Sequence, residues 1–544
     1  MSKLIPLIPI LVVALCSCMK AEKCDLVIHN AKIYSLNGSN DVFEAIAIKN
    51  GRILELGPER EIMNKYNYTS SYDAGLNTIF PGFIDAHCHF VGYGLGLQQA
   101  QLSVCNSFEE VLQTLLHHSE KLSTEWLIGR GWDHTKWPEN EYPNKAALDS
   151  LFPNIPVLIR RVDGHAALAN SLALQRAGIT KKSKIKGGHI EVLDGELTGI
   201  VVDKAVDSIM KLIPAPTKDQ LIQAMLLAQE NCFKVGLTTV DDAGLSKKEI
   251  DVIQELQDQG TLQMRIYAML SDNQENFDHY LKAGPIKTDR LNVRSFKFYG
   301  DGALGSRGAC LLQAYQDSPT SFGMLLSDKA YFKKWAEKLY KAGFQMNTHC
   351  IGDSATRIIL DVYGDVLKRA NDKRWRVEHA QLVHGTDISQ FGKFNIIPSV
   401  QPTHATSDMR WAALRIGLNR LKYGYAYEDL RKQNGIIALG TDFPVEDISP
   451  IATFYAAVIR KSTTDKSDHK FQPENALSKL NALKGMTTWA ATANFEESEK
   501  GTLEKGKFAD LVVLNRDLLT CSEEEILNTK VLRTYINGVC VHER

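Results

Sequence analysis

No Cys-x-x-Cys pair occurs among the ten cysteines of this 544-residue chain, so neither a zinc ribbon nor a disulfide framework is indicated. An excess of one charge is lacking too: 63 Lys and Arg against 64 Asp and Glu leave a formal net charge of −1. A groove that strips counterions from nucleic acid needs a basic excess, which argues against a nucleic-acid partner. Phosphate-cradling loops are missing, since Gly300-Asp301-Gly302 has neither the lysine nor the spacing of a P-loop. Beyond the first residues, no run is long and apolar enough to span a bilayer. What remains is the composition of a soluble enzyme, 44% hydrophobic and 23% charged, long enough for a large core with an accessory domain.

The most informative stretch is Pro81-Gly82-Phe83-Ile84-Asp85-Ala86-His87-Cys88-His89-Phe90, an apolar strand ending in two histidines one residue apart. Side chains alternate across a strand, so His87 and His89 share a face and Cys88 points away. Two neutral imidazoles side by side suit a divalent metal between them. A lone His-x-His is weak evidence, but Lys297, His349, His379 and Asp442 each end an apolar segment of their own. In Phe344 to His349 the odd positions are polar, which turns His349 toward the interior; His379 is expected to share an inward face with Val377 and Trp375. Asp85, on the His87 face, suits either an orienting or a structural carboxylate.

The first residues read as a lipoprotein signal peptide over 1–17. A short basic start at Met1 to Lys3 precedes an apolar run, Leu4 to Leu15, of signal-peptide proportions. Leu15-Cys16-Ser17-Cys18 then resembles a bacterial lipobox with Cys18 as the lipidated residue. The expected location is the bacterial cell envelope, with the membrane touched only through the lipid anchor.

Asn50-Gly51 and Asn537-Gly538 each sit between alternating runs and predict hairpins. The chain ends are each too small to fold alone, so residues 25–80 and 500–544 are expected to form one small β-sandwich domain. Between them, residues 81–499 carry eight strand-like runs, at 82–87, 236–241, 264–270, 292–299, 344–349, 373–379, 395–401 and 436–442, with helical patterns intervening. Strands each followed by a helix predict an α/β fold, a (β/α)8 TIM barrel with its chemistry at the C-terminal strand ends. About 140 residues separate the first two strands, which predicts a long insertion near 95–230 as a folded subdomain or lid.

Taken in order, these segments resemble the amidohydrolase superfamily, in its amidohydrolase-3 branch with the N-substituted formamide deformylase-like proteins. The matching motifs are residues 81–89, Lys297 to Arg307, His349 to Asp353, Arg-Val-Glu-His-Ala-Gln at 376–381, Gln-Pro-Thr-His at 401–404, Gly-Thr-Asp-Phe-Pro-Val at 440–445 and Gly506 to Val513. The resemblance implies a first metal on His87 and His89, a carbamylated Lys297 bridging to a second on His349 and His379, and Asp442 completing the site. The expected cofactor is a divalent metal, zinc by preference, one or two per chain. A lysine made neutral in the hydrophobic run Ser295 to Tyr299 can take up carbon dioxide and become a bridging carboxylate.

The function expected is hydrolysis of a non-peptide carbon–nitrogen bond in an amide, formamide or cyclic imide, with Asp442 as proton carrier. His165 of the insertion, Asp301, Arg307 and His404 are candidates for substrate contact. A mononuclear deaminase, a dipeptidase-like hydrolase and an inactive ligand-binding lipoprotein use the same scaffold. The partner expected is a small molecule, with self-association left open.

Overall fold

The computed structural model describes residues 22–120, 125–134, 137–138, 141–162, 166–185, 188–463 and 469–544. The signal segment with Cys18, and His165, lie outside the described residues.

The centre is a nearly closed, parallel, eight-stranded barrel. Its strands are β1 (Phe83–Cys88), β2 (Leu237–Leu245), β3 (Arg265–Ser271), β4 (Leu291–Tyr299), β5 (Gln345–Cys350), β6 (Arg376–His379), β7 (Ile397–Val400) and β8 (Ala438–Leu439), hydrogen-bonded in that order. Just beyond β8 the ring is stitched shut, with Asp442 N–H donating to the His87 carbonyl (2.8 Å) and His89 N–H to the Phe443 carbonyl (2.8 Å). Gly440 makes this approach feasible, because a Cβ there would lie 2.5 Å from the His87 nitrogen.

Alternation along the strands separates two environments. In β4, Phe296 and Phe298 point outward into the core shared with Phe277 and Trp335, and Phe277 stacks on both Phe296 (5.1 Å) and Trp335 (3.5 Å). Burying each such ring contributes roughly 2 kcal/mol. The opposite face, with Ser295 and Lys297, is fully buried inside the ring. That interior is unusually polar. Asp241 pairs with Arg376 Nη1 (2.9 Å), which also donates to the Ala86 carbonyl, while Nη2 reaches Asn494, and Gln345 accepts from Tyr267 (2.9 Å). Every one of these groups is buried, so the hydrogen bonds offset the loss of solvation.

Helices wrap the ring with clear start signals. Lys218–Lys234 and Lys247–Asp258 begin in capping boxes at Thr217 and Ser246, and Lys329–Ala342 is capped by Asp328. Phe90–Leu97 leaves directly from His89 and packs on Lys218–Lys234 through Gly94, where a Cβ would meet the Ala224 carbonyl at 2.0 Å. Among the described residues no helix is long and apolar enough to cross a membrane.

Three further sheets surround the barrel. Between β1 and β2, six strands from Ala100 to Asp203 form one sheet, of which Glu196–Asp203 carries Val202 toward the barrel mouth. Strands from both chain ends form a four-stranded and a six-stranded sheet, in which Leu511–Leu514 pairs with Thr78–Pro81. Ile28, Ile46, Leu511, Val513 and Tyr535 share one apolar cluster between them. Asn50-Gly51 and Asn537-Gly538 are both left-handed turns of hairpins, with φ of 52°, 74°, 51° and 70°. Asp510 ties this region to the barrel by accepting from Arg265 at 2.5 and 2.9 Å.

Candidate metal centre

Five of the six expected ligands face one cavity of about 700 Å3 at the C-terminal strand ends: His89, Lys297, His349, His379 and Asp442. His87, fully buried, forms the floor beneath them. Lys297 does not extend toward solvent; it is 1% exposed, and its amine lies 2.9 Å from His87 Nε2. Burial lowers its pKa below the usual lysine value, as a neutral amine requires.

The imidazoles are held by their far nitrogens. His87 Nδ1 meets the Glu378 carboxylate at 2.5 Å, His89 Nδ1 the Ala243 carbonyl at 2.9 Å, and His379 Nδ1 the Gln401 amide oxygen at 2.7 Å. Each partner is an acceptor, so each Nδ1 carries the proton and each Nε2 turns a lone pair inward. Those lone pairs converge on a carboxylate. Asp442 Oδ1 lies 3.2 Å from His89 Nε2 and 3.7 Å from His87 Nε2, and Oδ2 lies 3.5 Å from His404 Nε2. Asp442 Oδ1, His349 Nε2 and His404 Nε2 are buried without a hydrogen-bond partner. Acceptors facing acceptors across 3 to 4 Å repel unless a cation lies between them, and that is the test the residues pass as a metal site.

Charge follows the same geometry. Burial lowers the His87 pKa, and burial with the Lys297 charge takes His349 down to about 3. Burial also takes His379 well below its ordinary value. For His89 burial pulls down, but Asp442 more than reverses it. For Asp442 burial pushes up, yet His89, His87, His379 and His404 hold the carboxyl well below the usual range. His87, His349 and His379, kept neutral by burial, beside an ionised Asp442 are a ready donor set for a divalent ion.

Two ligand groups emerge with all donor atoms within 4.8 Å: His87, His89 and Asp442, and His379, His404 and Asp442. His404, expected to touch substrate, therefore stands among the candidate ligands. His349 belongs to neither group; its ring packs edge-on to His379 at 4.5 Å, and its Nε2 lies 3.7 Å from Asp301.

Three expectations need correction. Asp301 does not reach the cavity, because its carboxylate accepts backbone N–H from Cys310, Ile351 and Gly352 behind His349. Arg307 does not reach it either. It pairs with Asp317 (2.9 Å) inside the loop after β4, and Asp317 in turn binds Arg415 of the segment after β7. Val377 and Trp375 point outward into the apolar shell, and β6 turns Arg376 and Glu378 inward. His379 still reaches the site, through a left-handed backbone, φ 70°, that breaks the alternation at the strand end. Asp442, φ 61°, uses the same device. Asp85 holds the β1–β8 junction, accepting from Thr441 N–H (3.0 Å) and its hydroxyl (2.7 Å).

Glu378, Gln401, Gln381 and Asp408 were missed by sequence reasoning. The first three stand inside motifs that were recognised for their histidines, and a buried charge within a barrel strand was the available signal for Glu378. Asp408 carries no signal; it becomes visible only where its helix meets the cavity wall.

The model of the amidohydrolase family matches residues 72–542. YtcJ of Bacillus subtilis (strain 168), described as an amidohydrolase, is 29% identical over 526 residues, covering 95% of this chain and 99% of its own. An N-substituted formamide deformylase of Arthrobacter pascens is 26% identical, covering 96% and 98%. The crystal structure of a metal-dependent hydrolase of Pyrococcus horikoshii OT3 superimposes with a TM-score of 0.78 at 27% identity, covering 92% of this chain and 99% of that one.

Proposed function

We take as premise that the chain belongs to the amidohydrolase family, and we propose that it hydrolyses a non-peptide carbon–nitrogen bond in an amide, a formamide or a cyclic imide. The observation that carries this reading is the convergence of imidazole lone pairs on the buried Asp442 carboxylate. His87, His89 and Asp442 would hold one divalent ion, for which zinc matches the N/O donor set, and His379, His404 and Asp442 a second. We read Lys297 as the carbamylated ligand between them, with His349 supporting the second ion. When bound, the metal lowers the pKa of a water toward neutrality and polarises the substrate carbonyl.

The chain's own residues do the rest. Asp442 starts ionised and takes the proton of the attacking water, then passes it to the departing nitrogen. Glu378, Ala243 and Gln401 hold the histidines in one tautomer, so no reorganisation is needed at the reaction step. The formamide option draws support from the deformylase relative, which aligns with nearly the whole chain.

The wider organisation extends the reading. The two sheets from the chain ends form one small β-sandwich, and residues 95–230 form an inserted subdomain over the mouth, to which Val202 belongs. Substrate contact by His165 rests on Asp163-Gly164-His165 alone. Export and tethering through Cys18 in the bacterial envelope rest on Leu15 to Cys18.

The test is metal analysis of the purified protein followed by a screen of N-acyl amines, formamides and cyclic imides. One class should be hydrolysed in a zinc-dependent manner. Fully loaded protein inert toward all three would overturn the reading. For Lys297, labelling with 13C-bicarbonate should give a carbamate resonance that Lys297→Ala abolishes.

A further inference from the structure

One wall of the cavity is built around a carboxylate whose protein partners all sit on one side. Asp408 ends the helix Pro402–Asp408 and lines the cavity with His379, His404 and Asp442. Its Oδ2 accepts from Gln381 Nε2 (3.1 Å) and from the Tyr425 hydroxyl (2.8 Å), and Gln381 Nε2 is also 2.7 Å from that hydroxyl. Tyr425 is fully buried and Gln381 nearly so, which fixes the carboxylate's direction. Among the described residues Oδ1 has no partner.

Asp408 is half-buried and lines the cavity, so this second oxygen is an oriented acceptor that an incoming N–H can reach. Burial raises the Asp408 pKa to about 6, Glu446 adds to the rise, and His404, Tyr425 and Gln381 oppose it. Next to it the wall is apolar, with Leu304, Ile351 and Trp411. Asp442, whose buried Oδ1 is unpartnered, lines the same space. A substrate held at the metal ligands by its carbonyl therefore meets an oriented acceptor and an apolar surface on its way out of the cavity.

We propose that Asp408 is a specificity-determining residue that accepts an N–H from the nitrogen side of the scissile bond. The preferred substrates are then secondary amides or formamides whose leaving amine carries an apolar or aromatic substituent, and N,N-disubstituted analogues are discriminated against. This rests on the carbon–nitrogen hydrolase reading. A neutral acceptor would recognise the amide N–H as well, but a carboxylate also receives the ammonium that forms when the bond breaks.

Asp408→Asn tests the inference without changing shape. Gln381 and Tyr425 both donate, so an asparagine turns its carbonyl oxygen to them and shows its NH2 to the cavity; the acceptor becomes a donor. Zinc-loaded wild type and variant are compared on N-(2-phenylethyl)formamide and its N-methyl analogue. The wild type should favour the N–H compound, and the variant's kcat/KM ratio should fall by about tenfold or more with an unchanged melting temperature. Binding of 2-phenylethylammonium, followed by calorimetry, should weaken by about tenfold as well. An unchanged ratio together with unchanged ammonium affinity overturns the proposal.

If wild type hydrolyses neither formamide, the formamide reading fails and the ammonium affinity alone decides Asp408: a tenfold loss supports it, equality overturns it. If the asparagine variant does not fold, Tyr425→Phe takes its place. It removes one donor and keeps the charge, so a smaller loss of discrimination supports the proposal, and none overturns it.

Discussion

Asp442 stands where four imidazoles meet, and its role separates from theirs on substitution. Asp442→Asn keeps the shape and loses the proton acceptor, so kcat should fall by a factor on the order of 10²–10⁴. Metal analysis of the same variant should show most of the ion retained, since the histidines still converge. Wild-type kcat with metal bound would rule out the proton-carrier role. Glu378 acts through His87. Losing the 2.5 Å contact to Nδ1 frees the tautomer, so Glu378→Ala should weaken metal binding roughly 10–100-fold, and Glu378→Gln less, in a competitive chelator titration. Asp301 adds a pH signature. Burial raises its native pKa to about 7 against roughly 3.9 when unfolded, so the native state binds more protons between these values. Its contribution is complete below about pH 4 and is lost as pH rises through 7. Asp301→Asn lacks that term, and the stability gap between variant and wild type should narrow from pH 5 to pH 8 in denaturant melts. A constant gap would contradict the raised pKa.

At the scale of the element, the first helix after β1 matters most, because Phe90–Leu97 starts at the candidate ligand His89 and packs backbone to backbone on Lys218–Lys234. Gly94 has no room for a Cβ, whereas a Cβ on Gly92 would meet only His89 at an ordinary 3.6 Å. Gly94→Ala should therefore cost about 1–3 kcal/mol or more, and Gly92→Ala should be neutral or stabilising by about 0.5–1 kcal/mol. Thermal melts of the two variants make the comparison, and equal stabilities would mean the two helices do not pack as described. Loop clamps follow a similar logic on the other side of the mouth. Arg307 and Arg415 share Asp317, and Arg420 donates to the Gln313 and Ala314 carbonyls. The wall containing Leu304 and Trp411 is thereby held by two loops rather than one.

For the whole molecule, the barrel and, through Val202, the sheet between β1 and β2 line one centre reached from the C-terminal strand ends. The sheets from the chain ends meet the barrel at its other end, at Arg265 where β3 begins. Cellular placement is a separate matter, for which the proposal of a lipid anchor rests on Leu15 to Cys18. On that proposal, replacing Cys18 with alanine should move the protein from the membrane fraction to a soluble one, because acyl chains would supply the anchoring energy. Membrane association unchanged in both forms would rule out the lipid anchor.

Sequence alone determined the barrel's strands to within a few residues, both hairpin turns and the order of the ligand segments. Local periodicity and Asn-Gly turns are set by neighbours along the chain, and each apolar run carries its own register. The directions in which side chains leave the strand ends were decided by tertiary structure. His379 and Asp442 enter the site through left-handed backbone, which no alternation rule anticipates. Glu378, Gln401 and Asp408 acquired their roles only when separate strands and helices closed around one cavity. Asp301 and Arg307 lost theirs because other groups claimed their charges first, the backbone of 351–352 for one and Asp317, itself shared with Arg415, for the other. Periodicity is a property of a segment, but the partner of a buried charge is a property of the packed whole.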